Sequence, residues 1–292
     1  MKRRKYSLAN DDFSTAVYFD NRDYIINSFD LEQVDANLTH YAGAGQAGST
    51  ITHRQLGTRN CVIEGYVLAE SDKEMRDKKS QLQKMVVPTH DFHVVIDDKW
   101  KMRLTALSSI AYQPEFFAHN EQLTWFSIEA VASNPFFEPL DEDDADVAGW
   151  VKDFHFPFSN PVGGKFTFAH REPSKIVKVA NKGEIETGMK IIFTAINGTV
   201  VNPIVENVDT GKKLELKMTI KSGESVEVST TYGNKYVRNA DTKENWLKYL
   251  SLQSDFLQMP IGISSFRYGY DEDASTGTLK CVFRYTPKLF EV

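Results

Sequence analysis

Any chemistry this chain performs has to come from its seven histidines, two cysteines and 40 acidic residues. His90 and His93 are the one close histidine pair, and a separation of three places them on opposite faces of a strand, where they cannot share a metal. His40, His53, His119, His155 and His170 are scattered. Cys61 and Cys281 each sit in an apolar, strand-like stretch, which reads as two separate buried thiols in a reducing compartment. The run Asp141-Glu142-Asp143-Asp144-Ala145-Asp146 is rich in acid but lacks the spacing and the bidentate glutamate of a calcium loop. Glycoside hydrolysis needs two positioned carboxylates, and these acids offer candidates without a pattern. The reading is no catalytic residue, no metal ligand and no cofactor.

Binding chemistry remains. The stretch from His40 to Thr50 is rich in glycine, but it lacks the G-x-G-x-x-G register between a strand and a helix that cradles phosphate. It reads instead as a long hairpin tip, with Tyr41, Gly43, Gly45, Gln46 and Gly48 as a candidate arm that touches a neighbouring subunit. Four aromatic residues of the second half, Trp150, Tyr232, Tyr236 and Trp246, are candidates for stacking on sugar rings, against the commoner use of aromatic residues as core.

The elements that must position these residues divide the chain near its middle. Asn134-Pro135-Phe136-Phe137-Glu138-Pro139 combines two helix- and strand-breaking prolines with a pair of rings that need a packed surface, and the acidic run follows at once as a solvated loop. The expected domains are residues 1–139, an acidic linker over 140–149, and residues 150–292. Cutting the chain after Pro139 should then leave the first domain folded.

In the first half, Val17–Phe19 and Tyr24–Ile26 flank a turn and read as an opening hairpin. Residues 59–69 are β-branched and aromatic, hence strand. Ser71-Asp72-Lys73-Glu74 is a capping box, and the helix after it runs to about Val87 with Met75, Leu82, Met85 and Val86 as its apolar stripe. His90–Asp98 and Met102–Leu107 read as a hairpin, and Leu123–Val131 as a further strand. The second half is strand and turn almost throughout: Phe166–Phe168, Ile176–Val179, Met189–Thr194, Thr199–Val201, Ile204–Val208, Leu214–Ile220, Ser225–Thr230 and Leu279–Tyr285, with Trp246–Leu250 as a short helical turn. Many short strands at this spacing indicate a sandwich of jelly-roll type. The fold class is mainly β with one amphipathic helix, an α+β N-terminal domain preceding a C-terminal β-sandwich.

Composition agrees: 41% hydrophobic and 12% aromatic residues suit two β-rich cores, and a net charge of −6 argues against nucleic-acid binding. Basic Met1–Lys5 is not followed by an apolar run, so neither export by a signal peptide nor membrane insertion is expected.

The order of these motifs resembles one family. Arg59-x-Cys61-Val62-Ile63-x-Gly65-Tyr66-Val67, the capped helix ending in Leu82 and a proline, the Asp-rich hairpin and Ala132–Phe137 are similar to the distal tail proteins of long-tailed siphophages. So are Asn181–Gly188, Ile191–Phe193, Pro203–Gly211, Lys221–Glu224 and Tyr232–Lys235, with one departure at Met259–Ser264. The resemblance implies a ring-forming first domain, a galectin-like second domain, and a hexameric hub at the virion tail tip, assembled in the bacterial cytoplasm. It also implies the tail tube protein and a tail-associated or tail-tip protein as partners, with receptor-binding proteins as further ones. The alternative from the residues is an adhesin module recognising host cell-wall carbohydrate.

Overall fold

The computed structural model describes residues 4–113, 122–140, 143–146, 149–152, 169–172 and 176–292, with the backbone alone for 143–146, 149–152 and 169–172. The expected strand at Phe166–Phe168 lies outside them. The chain forms two compact units, residues 1–140 with 289–292, and residues 141–288. It is mostly β, with one α-helix among the described residues, and that helix is not long and apolar enough to cross a membrane.

The first unit holds β1 (Tyr6–Asn10), β2 (Ala16–Tyr18), β3 (Tyr24–Leu31), β4 (Ala36–Tyr41), β5 (Thr50–Leu56), β6 (Arg59–Leu68), α1 (Asp72–Met85), β7 (Asp91–Ile96), β8 (Trp100–Ala106), β9 (Ala111–Gln113), β10 (Leu123–Ala132) and β11 (Glu138–Pro139). Its antiparallel sheet has the order β2-β1-β7-β8-β10-β6-β3, with β11 on β8 and β9 on β10; β4 and β5 pair only with each other. Strict alternation runs through β6 and β10, which share a ladder along their whole length. Cys61, Ile63 and Val67 face the core opposite Ala130, Ile128 and Thr124, and Phe126 lies opposite Gly65.

Helix α1 begins as the capping box requires. The Glu74 amide donates to Ser71 Oγ, and the Glu74 carboxylate accepts from the Glu70 amide. Met75, Leu82 and Met85 are buried against the sheet. The Tyr24 and Tyr112 hydroxyls, which burial pushes to higher pKa, donate to the Lys78 and Lys79 carbonyls and fix the helix over it.

The opening hairpin is corrected. β2 pairs with β1, and β3 runs along β6, because the long alternating β6 offers a far longer ladder than a three-residue hairpin partner. At the bulge between Ile26 and Ser28 the β3 backbone closes on Gly65, where an added Cβ would lie 2.2 Å from the Ile25 oxygen and 2.7 Å from the Phe126 ring.

The second unit holds β12 (Asp143–Asp146), β13 (Gly149–Lys152), β14 (Ala169–Glu172), β15 (Ile176–Asn181), β16 (Met189–Ile196), β17 (Val200–Val201), β18 (Ile204–Asn207), β19 (Lys213–Glu215), β20 (Thr219–Ile220), β21 (Ser225–Ser229), β22 (Tyr236–Asn239), β23 (Gly262–Gly269) and β24 (Thr278–Tyr285). Two sheets, β12-β24-β16-β21-β22 and β15-β23-β18-β19, enclose one core in which Phe266 of one meets Phe283 of the other at 5.2 Å. Leu214–Ile220 is not one strand. Leu216 bridges to Leu250 and only Thr219–Ile220 resumes pairing, so the alternating leucines fill the core from two short pieces.

Within the acidic run, the described residues 143–146 form a strand rather than the expected loop. Asp143–Asp146 pairs with Tyr285–Val282 as an edge strand, in a register that sets Asp144 opposite Arg284. The open edge of β24 supplies the backbone partners that order this stretch. The end of the chain differs as well. Phe137 and Leu289 exchange backbone hydrogen bonds of 2.8 and 3.0 Å, Phe136 packs on Phe290 at 5.1 Å, and the Arg59 guanidinium donates to the Phe290 carbonyl at 2.7 Å.

Two outcomes are expected. Deleting residues 289–292 lowers the unfolding midpoint of the first unit by roughly 5 °C, about 2 kcal/mol, in a calorimetric scan, since buried Arg59 loses an acceptor and Phe137 loses its partner. A fragment ending at Pro139 shares that loss. Gly65→Ala costs more, about 3 kcal/mol or above, because the β3 backbone cannot retreat without breaking its ladder with β6.

Candidate assembly and binding surfaces

Strands β4 and β5 make an arm exposed along its whole length. Its base is closed by the Gly57 amide on the Asp35 carbonyl. Its tip is ordered by the Gly43 amide donating to Gln46 Oε1 and by Gln46 Nε2 donating to Thr50 Oγ1, while Gly45 and Gly48 take positive φ that L side chains disfavour. Tyr41 is 65% exposed beside this tip. The register adds what sequence reading missed: Ala36, Leu38 and His40 share a face with Leu56, Arg54 and Ile51. Leu38, Ile51 and Leu56 are thus exposed apolar groups on one side of a two-stranded ribbon. The face was hidden from sequence reading because the bulge after Thr39 shifts Ile51 out of simple alternation with Arg54 and Leu56.

The four aromatic candidates do not form one site. Trp246 is 9% exposed and belongs to the core. Tyr236 donates its hydroxyl to Glu227, with the Arg238 guanidinium 4.1 Å from the ring centre. The Trp150 side chain lies outside the described residues. Tyr232 is 67% exposed and lines a cleft of about 460 Å³ with Phe256, a ring absent from the sequence reading because nothing in its local pattern marks it. Tyr236 lies in strand β22, whereas Tyr232 stands in the turn before it and Trp246 in the loop after it, so the local backbone sends these rings to different depths.

The histidines separate too. His90 is exposed ahead of β7, whereas His93 is buried and stacked on Phe13 at 4.6 Å. Its Nδ1 has no hydrogen-bond partner among the described residues, and the nearest carboxylate, Asp11, lies at 3.9 Å. Burial holds its pKa below the ordinary 6.5; Asp11 opposes that, and Lys101 and Arg103 reinforce it. Cys61 and Cys281 are both buried, and burial pushes the Cys61 thiol to about 12, too high for a nucleophile. Among the described residues no three His, Cys, Asp or Glu side chains converge in a geometry suited to a metal ion.

Residues 182–288 match the family model described as siphovirus-type tail component, C-terminal domain. No curated protein sequence matches the chain. Among solved structures, the Dit (gp 19.1) protein of phage SPP1, described as a paradigm of the hub adsorption apparatus in phages that infect Gram-positive bacteria, aligns over 97% of this chain and 98% of its own, at a TM-score of 0.67 and 12% identity. Chains of the phage P2 baseplate in its activated conformation align over the full length of both partners. With Ca the TM-score is 0.56 at 10% identity, and with Sr it is 0.54 at 11%. At such identities the likeness is one of fold.

Because His93 is held neutral in the folded state and protonates near 6.5 when unfolded, the unfolded chain binds more protons between its depressed folded pKa and that value. Stability of the first unit therefore falls as pH drops below about 6.5. His93→Gln should flatten that part of a denaturation-midpoint profile measured from pH 8 to 5; an unchanged slope would assign the effect to other groups.

Proposed function

On the premise that residues 182–288 belong to the siphovirus-type tail component family, we propose that this chain is the distal tail hub of a siphophage baseplate. It closes into a ring, six copies by the family resemblance, between the tail tube protein and the tail-tip apparatus. The observation that carries the reading is the end-to-end alignment with the hub protein of phage SPP1, which spans both units rather than one shared module. Its role is structural: the first unit, residues 1–139 with the returning tail, makes the ring, and the second displays a surface for receptor-binding components. Localisation at the virion tail tip, after assembly in the bacterial cytoplasm, follows from that role.

Ring closure needs heterologous contacts between unlike faces of adjacent copies. The arm of β4 and β5 supports such a contact. A lone two-stranded ribbon is marginal in water, and Leu38, Ile51 and Leu56 on its one face gain stability when a neighbour covers them. The tip around Tyr41, Gly43, Gly45, Gln46 and Gly48 lets the neighbouring backbone approach closely.

Light scattering of the purified protein should report a multiple of the 33.2 kDa chain mass, with rings in negative stain. Leu38→Asp combined with Ile51→Asp should reduce that mass to one chain while the unfolding midpoint of the second unit stays put. Deletion of residues 43–48 should weaken the assembly in the same direction. A ring that persists in both variants would remove the arm from the contact.

A further inference from the structure

The cleft beside Tyr232 belongs to the second unit. It opens between the turn joining β21 to β22 and the segment 254–260, with the loop after β18 as its third wall. All three walls are tied down. Gln258 Nε2 donates to the Thr230 carbonyl, Ser254 Oγ bonds both the amide and the carbonyl of Glu215, and Asn207 Oδ1 accepts from the Asp209 and Thr210 amides. A volume of about 460 Å³ lies within the range of small-molecule sites, roughly 300–1,000 Å³.

Its lining has a definite chemistry. The Lys235 ammonium lies over the Tyr232 and Phe256 rings, 4.8 and 5.0 Å from their centres, so one cation contacts two aromatic surfaces. Glu186 and Asp255 contribute acceptors, and Lys212 contributes a second cation. Two positive and two negative charges balance, which favours neither an anion nor a cation. Gln258 keeps a buried carbonyl oxygen with no partner among the described residues, a desolvation cost that a ligand hydroxyl reaching it would recover. A neutral ring with C–H groups on one face and hydroxyls around its edge fits both halves of this lining: stacking for the face, carboxylates and amides for the hydroxyls.

We propose that this cleft binds a neutral saccharide, with Tyr232 as the stacking platform and Lys235, Glu186 and Asp255 as hydrogen-bonding groups. The site does not depend on the hub reading, since all its residues lie within 186–260.

Saturation-transfer difference NMR on the full chain tests it, with the methyl glycosides of glucose, galactose and N-acetylglucosamine as probes and glucuronic acid as a charged control. The expected result is saturable transfer to the C–H face of at least one neutral glycoside, with a dissociation constant of about 1 mM. Tyr232→Ala should reduce that transfer at least tenfold and Tyr232→Phe should retain it; Tyr232 is exposed, so both variants fold. Absence of saturable transfer from every neutral probe overturns the proposal, as does equal transfer in Tyr232→Ala or binding of glucuronic acid alone. The oligomeric mass, read on the same samples, reports on the hub reading separately.

Discussion

The antiparallel exchange between Phe137 and Leu289 is the constraint on which the first unit's boundary depends. It joins the middle of the chain to its end, so residues 141–288 leave and re-enter the first unit at one bridge. Arg59 explains why the bridge is held. Its guanidinium is buried at the start of strand β6 and donates to the Glu32 and Phe290 carbonyls, both at 2.7 Å. A buried cation without those acceptors is costly, so β6, β3 and the C-terminal tail are stabilised together.

The same economy of backbone partners shapes the rest. β24 offers an open edge and the acidic run fills it; β6 offers a long edge and β3 takes it in preference to a short hairpin with β2. In the first unit, β4 and β5 are left with each other. That ribbon carries three exposed apolar side chains, Leu38, Ile51 and Leu56, on a pair of strands that no other strand of the unit covers.

In the second unit the packed core and the cleft of Tyr232 are built by different parts of the chain. Its core residues alternate with outward residues along β16, β21 and β24, while the loops at one end assemble the cleft of Tyr232 and Phe256. Rigid strands set the spacing of those loops, and side-chain bonds from Ser254, Gln258 and Asn207 hold them there.

Local physics was readable in the residues alone. The Ser71 cap, the stripe of Met75, Leu82 and Met85, the hairpin of β7 and β8, the alternation of β16 and the β-rich class all follow from interactions spanning a few positions. The arm's tip was legible for the same reason, because glycine and glutamine write a turn within ten residues. What tertiary structure decided was every pairing over long distance: Gly65 under the bulge of β3, the acidic strand on β24, the return of Leu289 to Phe137. The aromatic candidates show the limit most clearly. Trp246 and Tyr232 look alike in sequence, but one fills a core and the other stands in a cleft beside Phe256, 24 positions further on, and no local pattern encodes which neighbour a turn will bring.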